Sequence, residues 1–334
     1  SDLLTTPNVG VVHRFNNLSI GNYDQLIVEG NAAVAHRIEF AGTTTLGNGG
    51  AWIGTYGSPT VTLSGKVTGS GKLLVCGNVT LSGAGNDYSG GTFVGSGTLT
   101  VAAGSSLGTG DVEVSTGALL AARIQTGTLT LSGRAGITGS HTTSILNKLE
   151  IAGAPGAWTG QLDLGSGLLV VKNATLATVE NQVASGMNLA AGYWDGPGIA
   201  SSTAAADGDF YTGIGVLDNA LAGFTEFGDA TGLTGTEILV RYTFYGDADL
   251  SGTVDFDNDY ILWQEGFLNN YTGWVYGDFN HDGVVDFDND YILWQTVFLN
   301  QPSLPGGAAA VPEPGTLALI GLGLAGLLGR RNRK

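Results

Sequence analysis

One cysteine, one methionine, and 13 lysines and arginines among 334 residues set the first limits. Cys76 alone excludes an internal disulfide framework and any multi-cysteine zinc site. It is expected as a small buried apolar side chain. The basic residues form no cluster within the body of the chain, so a phosphate-binding face, and with it a nucleic-acid partner, is excluded. Charged residues make up only 13% of the chain, against about 25% in ordinary soluble domains. Yet 43% of residues are hydrophobic and the mean hydropathy is +0.16, so a packed core rather than disorder follows. Helix-favouring composition is also missing: 56 glycines punctuate Thr, Ser, Leu and Val, with no collagen triplet. This is the composition of short strands joined by tight turns.

Strand-like runs occur at 60–63, 72–75, 78–81, 98–101, 111–114, 128–131 and 167–171. Most alternate Thr or another polar residue with Leu or Val and stop at Gly or Ser-Gly. The phrase Leu-Ser-Gly returns at 63–65, 81–83 and 131–133. Even spacing of short strands predicts a mainly β fold, a solenoid whose coils stack into one core, with a β-sandwich as the alternative. The stretch from Leu81 to Val114, which includes Tyr88-Ser-Gly-Gly-Thr-Phe-Val94, resembles the autotransporter-associated β-strand repeat. The resemblance implies a right-handed parallel β-helix of the kind found on bacterial cell surfaces.

Negative charge is concentrated at 246–300, which holds 11 acids and no Lys or Arg. Within it, Val254-Asp-Phe-Asp-Asn-Asp-Tyr-Ile-Leu-Trp-Gln264 recurs unchanged at 285–295. Each copy follows a Gly-Asp and places oxygen side chains at loop positions 1, 3, 5 and 9 with Gly at position 6. The first set is Asp247, Asp249, Ser251 and Asp255 around Gly252. The second is Asp278, Asn280, Asp282 and Asp286 around Gly283. Position 7, Thr253 or Val284, offers its backbone carbonyl. A hard cation collecting several oxygens needs this pattern, so two Ca²⁺ sites are expected. Position 12 holds Asn258 or Asn289 in place of a bidentate carboxylate; Asp259 and Asp290, one residue later, are the expected closing ligands. Tyr260, Ile261, Trp263 and Phe267, with their equivalents Tyr291, Ile292, Trp294 and Phe298, have helical spacing and predict two buried stripes packed together. A duplicated loop and exiting helix resembles a type I dockerin over roughly 242–301. That family implies a cohesin-like partner. Its polar recognition pair at positions 10 and 11 is replaced here by Phe256-Asp257 and Phe287-Asp288, so calcium-stabilised folding is the property carried over.

The C-terminus reads Val311-Pro-Glu-Pro314, then an uncharged stretch from Gly315 to Gly329, then Arg330-Arg-Asn-Arg-Lys334. As a helix the apolar part spans about 22 Å, short of a ~30 Å hydrocarbon core, with its basic end suited to the cytoplasmic side. The order resembles the PEP-CTERM sorting signal of Gram-negative bacteria that make exopolysaccharide. It implies export, transient membrane insertion through 315–329, and recognition and cleavage by exosortase-type machinery. The chain starts at Ser1 without a leader, as expected of a sequence that begins after its leader or is a fragment.

Acids in 40–180 are scattered, and only Asp111 and Glu113 share a strand face, so no catalytic pair emerges. His13, His36, His141 and His281 are isolated. The expected organisation is a β-solenoid at 1–185, a connecting β-rich module at 186–241, a dockerin-like module at 242–301, a linker at 302–310 and the sorting signal at 311–334. The expected function is a secreted, non-enzymatic surface or matrix protein, an adhesin or scaffold. The alternative is an accessory polysaccharide-binding or polysaccharide-degrading protein anchored through the dockerin-like unit.

Overall fold

In the computed structural model, which describes residues 11–30, 36–138 and 142–302, Leu and Val alternate inward and Thr outward along stacked parallel strands. The first coil is β1 (Val12–Phe15), β2 (Leu18–Ile20) and β3 (Gln25–Glu29); the second is β4 (Arg37–Phe40), β5 (Thr44–Leu46) and β6 (Ala51–Tyr56). The third runs through β7 (Thr60–Leu63), β8 (Val67–Gly69) and β9 (Leu73–Leu81). Later coils use β10 (Thr92–Val101), β11 (Val112–Val114), β12 (Leu119–Ala122), β13 (Gln125–Leu131), β14 (Arg134–Ile137), β15 (Thr143–Ile151), β16 (Gln161–Asp163) and β17 (Leu168–Val171). Every pairing among these strands is parallel, which makes the fold a β-solenoid of about seven turns and excludes a sandwich. Leu73, Thr92 and Val112 stand in register, so one coil here takes 19 to 20 residues.

The core is built of columns, one residue per coil. Val61, Val79, Leu99, Leu120, Ala135 and Leu162 are stacked in register and buried. On another face Ile53, Val75, Val94, Val114, Leu131 and Ile151 form a second buried column. Thr62, Thr80 and Thr100 stack outward between them. The Leu-Ser-Gly phrases are the corners. The Ser82 and Gly83 amides both donate to the Leu63 carbonyl one coil below, and those of Ser132 and Gly133 both donate to Val114. Glycine is needed there because a Cβ on Gly83 would collide with the Gly65 carbonyl of the corner beneath. Cys76 departs from expectation: it is half-exposed on the outward side of β9, between Gly54 and Ser96, because its inward neighbours Val75 and Val79 already fill the core.

After β17 come α1 (Leu176–Met187), β18 (Gly198–Ala200), α2 (Ser202–Ala205), β19 (Thr212–Asp218) and α3 (Asn219–Ala222). A small hairpin, β20 (Glu226–Phe227) and β21 (Ala230–Thr231), leads to β22 (Ile238–Phe244). β22 pairs antiparallel with both β17 and β19, which ends the parallel stacking. All seven residues of β22 are buried. α1 covers β18 and β19, so the terminal edge of the sheet is not left open. The boundary expected at 185/186 therefore falls inside α1, and the segment expected as a connecting module supplies the last strands of the sheet. The acidic segment follows, with α4 (Ile261–Asn269) and α5 (Ile292–Asn300). Residues 303–310 of the expected linker, the sorting segment 311–334 with its apolar stretch 315–329, and His141 lie outside the described residues.

Candidate metal centre

Two loops, 247–259 and 278–290, repeat the same hydrogen-bond plan. In the first, Asp247 accepts from the Gly252 amide at 2.9 Å, from the Ser251 hydroxyl at 3.3 Å and from the Thr243 hydroxyl. Gly252 takes the sharp turn with φ 93°. Ser251 Oγ also lies 3.2 Å from the Thr253 carbonyl, bringing positions 1, 5 and 7 together. In the second, Asp278 accepts from the amides of Asp282 and Gly283, both at 3.0 Å, and Gly283 has φ 85°. Asn280 Oδ1 accepts from the Asp282 amide at 2.9 Å, and the Val284 amide donates to Asp282 at 2.9 Å.

The extra residue before each closing acid is absorbed by a π-helical turn, Phe256–Tyr260 and Phe287–Tyr291. Asp255 and Asp286 cap these turns by accepting from the Asn258 and Asn289 amides at 2.8 and 2.7 Å. The wider turn swings Asp259 and Asp290 inward, where both are fully buried. Asp259 accepts from Ala248 N at 2.8 Å and Asp255 N at 2.8 Å; Asp290 accepts from Phe279 N and Asp286 N, both at 2.9 Å. Asn258 and Asn289 instead donate their side-chain amides to Asp255 and Asp286 at 3.1 and 3.0 Å, which steadies the position-9 carboxylate. Carboxylate oxygens of Asp247, Asp249 and Asp259 lie within 4.8 Å of one another. In the second loop Asn280 stands where Asp249 does, and the carboxylate count is restored by Asp282 at the position of Ser251.

Burial pushes Asp247 up to about 7, opposed by the charge of Arg241 and reinforced by Asp249. Burial and the neighbouring Asp247 and Asp249 raise Asp259 well above the carboxylate range. Burial likewise takes Asp278 to about 6 and Asp290 to about 7. Crowded, dehydrated carboxylates lining a glycine-turned loop disfavour their own ionisation until a cation joins them. An all-oxygen donor set of this kind fits a hard divalent ion such as calcium and not a soft one.

The two halves brace each other. Trp263 Nε1 donates to the Asp286 carbonyl and Trp294 Nε1 to the Asp255 carbonyl, each at 3.3 Å. Trp263 packs on Tyr291 and Tyr260 on Trp294, with ring centroids 5.0 and 5.2 Å apart. Both tryptophans are buried, but the rest of the expected stripe is not: Ile261 and Ile292 are 47% and 44% exposed, Phe267 and Phe298 43% and 38%, and Tyr260 and Tyr291 are half-buried. In the two helices Trp263 with Gly266, and Trp294 with Val297, are the buried residues, and Gly266 lies against Tyr276. Gln301 ties the end of the segment to its beginning, with bonds to Val254 N and O of 2.8 and 2.9 Å.

Arg241, Trp274, Glu180 and His281 lie where this unit meets the solenoid, a role the sequence assigned to none of them. Arg241, 2% exposed on β22, donates to the Leu250 carbonyl of the first loop at 2.5 Å. The lack of Lys and Arg in 246–300 is thus answered by one cation just upstream; an Arg within the apolar run Ile238–Phe244 was the available signal. Trp274 Nε1 donates to the Asp247 carbonyl at 2.7 Å. Glu180 of α1 approaches Gly273 and Trp274, and burial together with Asp278 raises it to about 7. His281 Nε2 lies 2.9 Å from the Ile214 carbonyl of β19, and burial pushes it down to about 4, so it is neutral.

Other candidate acids have structural partners. Asp111 accepts from the Thr128 amide at 2.7 Å, Glu113 lies 3.7 Å from Lys72 Nζ, and Glu150 pairs with Lys148 at 2.6 Å. These line an open cleft of about 370 Å³ on the outer face. Asp207 caps its own turn, accepting from the amides of Tyr211 and Thr212 at 2.9 Å.

The molecule is thus a β-solenoid closed by an acidic two-loop unit. Its residues 310–334 match the family model of the PEP-CTERM protein-sorting motif. The motif implies export, recognition by exosortase-type sorting machinery, and a membrane-anchored or surface location in a Gram-negative bacterium. No curated protein matches the chain, and no solved structure does. Among the described residues no helix is long and apolar enough to cross a membrane.

Proposed function

We propose that this is a secreted, non-enzymatic scaffold or adhesin of the cell surface or matrix, whose solenoid ends in a dockerin-like module folded around two calcium ions. The observation that carries the reading is the pair of loops themselves, with Asp247, Asp249 and Asp259 converging within 4.8 Å and Asp278, Asn280 and Asp290 at the corresponding positions of the second loop. Asp247, Asp249, Ser251, Asp255, Asp259 and the Thr253 carbonyl would hold one ion. Asp278, Asn280, Asp282, Asp286, Asp290 and the Val284 carbonyl would hold the other. The ions would neutralise part of a dense acidic surface and so favour the closed unit; at 100 times its dissociation constant each adds about 2.7 kcal/mol.

A structural role for the solenoid is supported by Asp111, Glu113 and Glu150, which are engaged with a backbone amide, Lys72 and Lys148 along an open cleft. Residues 81–114, which resemble the autotransporter-associated repeat, lie within the solenoid body, in keeping with a surface passenger. Equilibrium dialysis of the full chain against calcium, with thermal melts in calcium and in EDTA, tests the reading. Two ions per chain and a higher Tm in calcium are expected. No bound calcium at millimolar concentration would overturn it.

A further inference from the structure

We propose that an outer groove over β12, β14 and β16 binds an uncharged glycan chain, with Arg134, Gln161 and Asp163 as its polar contacts. This deepens the adhesin reading above and rests on it, but it uses neither acidic loop. Leu119, Arg134 and Gln161 stand in register on successive coils, as do Ala121, Gly136 and Asp163. All six take outward positions, because the residues between them, Leu120, Ala135 and Leu162, belong to the buried core column. Ala121 and Gly136 are too small to fill the space above them, and a Cβ built on Gly136 would meet nothing within 4 Å. The result is an open trough of about 440 Å³ between Leu119 and Asp163. Past Arg134 and Asp163, which line both spaces, it continues into a recess of about 280 Å³ walled by Asp195 and α2. Together they have the size of a ligand site.

Gln161 is the residue that asks for a ligand. It is 6% exposed, and its Nε2 donates to the carbonyls of Asp195 at 3.0 Å and Gly196 at 2.6 Å. Those two acceptors fix the orientation of the amide, since a flip would set oxygen against oxygen. Oε1 is then buried with no donor. Buried acceptors are nearly always paired, and the recess that Gln161 lines is where a donor can enter. Its neighbours are equally prepared. Asp163 Oδ1 accepts from the amides of Gly165 and Ser202 at 2.9 and 2.8 Å, which holds the carboxylate still and leaves Oδ2 as an acceptor. The Arg134 side chain is exposed, and among the described residues its guanidinium joins no ion pair.

The groove thus offers two acceptors, Gln161 Oε1 and Asp163 Oδ2, beside one donor group, Arg134. A hydroxyl is both donor and acceptor, so neighbouring hydroxyls of one sugar can satisfy all three. The carbon face of a sugar ring suits the floor of Ala121 and Gly136 and the side of Leu119, which is 38% exposed. An anionic chain would meet Asp163 and Asp195 against the single charge of Arg134, so an uncharged chain is favoured. Strands of successive coils lie about 4.8 Å apart, close to the advance of one hexose along an extended glycan, so consecutive sugars can meet consecutive coils.

Affinity electrophoresis of the full chain in gels holding a neutral glucan, a neutral galactomannan or the polyuronate alginate tests this. At least one neutral glycan should retard the chain, and alginate should not. Gly136→Val fills the trough from an outward strand position with room for it, so retardation should be lost while the Tm stays the same or rises. Asp163→Asn keeps an oxygen for the two amides but replaces the free acceptor with a donor, and should weaken retardation. Thr45→Val, at an exposed position of β5 on another face, should change nothing. Equal retardation of the unaltered chain and Gly136→Val would overturn the inference, as would stronger retardation by alginate. So would no retardation in any of the three gels, which would mean that water alone fills the groove. Each of these results would leave the calcium-folded scaffold standing, because that reading is tested by dialysis.

Discussion

Asp259 and Asn258 are neighbours with opposite assignments, and the difference is one turn of backbone. A π-helical turn places Asp259 inside the loop and leaves Asn258 holding Asp255 from outside. Asp259→Asn should therefore cost calcium affinity more than about 100-fold at that site, while Asn258→Ala, which removes only an outer support, should cost about tenfold. Calorimetry on the two variants separates them; equal losses would return the closing role to position 12. The same buried acids set a pH dependence. Asp278 and Asp290 ionise near 6 and 7 in the fold but near 3.9 in the unfolded chain. Between those values the folded state binds more protons, so without calcium stability should fall as pH rises from about 4 through 7. Glu237, held down to about 2 chiefly by bonds from Asn219 and Thr234 that outweigh burial, works in a lower window. Its contribution is complete above about 4.3 and is lost only as pH falls through 2. Melts in EDTA at pH 5 and pH 8 check the sign: the Tm should be lower at pH 8, and a higher value there would contradict the account.

At the scale of elements, the coils were legible because each needs only an inward Leu or Val every second residue and a glycine where corners stack. All seven runs read from the alternation form or overlap β-strands, at β7, β9, β10, β11, β13 and β17. Gly83→Ala should destabilise the solenoid by about 1–3 kcal/mol, because its Cβ meets a fixed carbonyl rather than a movable side chain. Urea denaturation measures it, and an unchanged midpoint would mean the corner opens without cost. The inward placement of Asp259 and Asp290 was legible too, since an apolar run follows them at once. The end of the solenoid was not. β22 is buried on both faces, one of them carrying Arg241 and Thr243 beneath the acidic unit, and a period-two reading takes such a polar face for a solvent-exposed one. Arg241 was hidden for a related reason: its counter-charges come from a loop whose position depends on the docked fold. Ile261 and Ile292 were read as buried although each stands two residues, about 200° of helix, from the inward Trp263 or Trp294.

Across the whole molecule, the acidic unit does not hang from the solenoid on a linker. Its first loop is bonded to β22 through Arg241, its second to β19 through His281, and Trp274 packs against His281 and Gly215 of β19. Gly215 of β19 admits Leu250 and Trp274 so closely that a Cβ there would collide with both. Whatever fixes the loops therefore also fixes the strands that terminate the sheet, and on the proposed reading calcium would be a term in the stability of the solenoid's end. Hydrogen exchange of the full chain with calcium and with EDTA tests this most directly. Calcium should slow exchange in both loops and, beyond them, at Thr212–Asp218 and Ile238–Phe244, leaving the distant coils unchanged. Protection identical in calcium and EDTA throughout 212–302 would contradict the account.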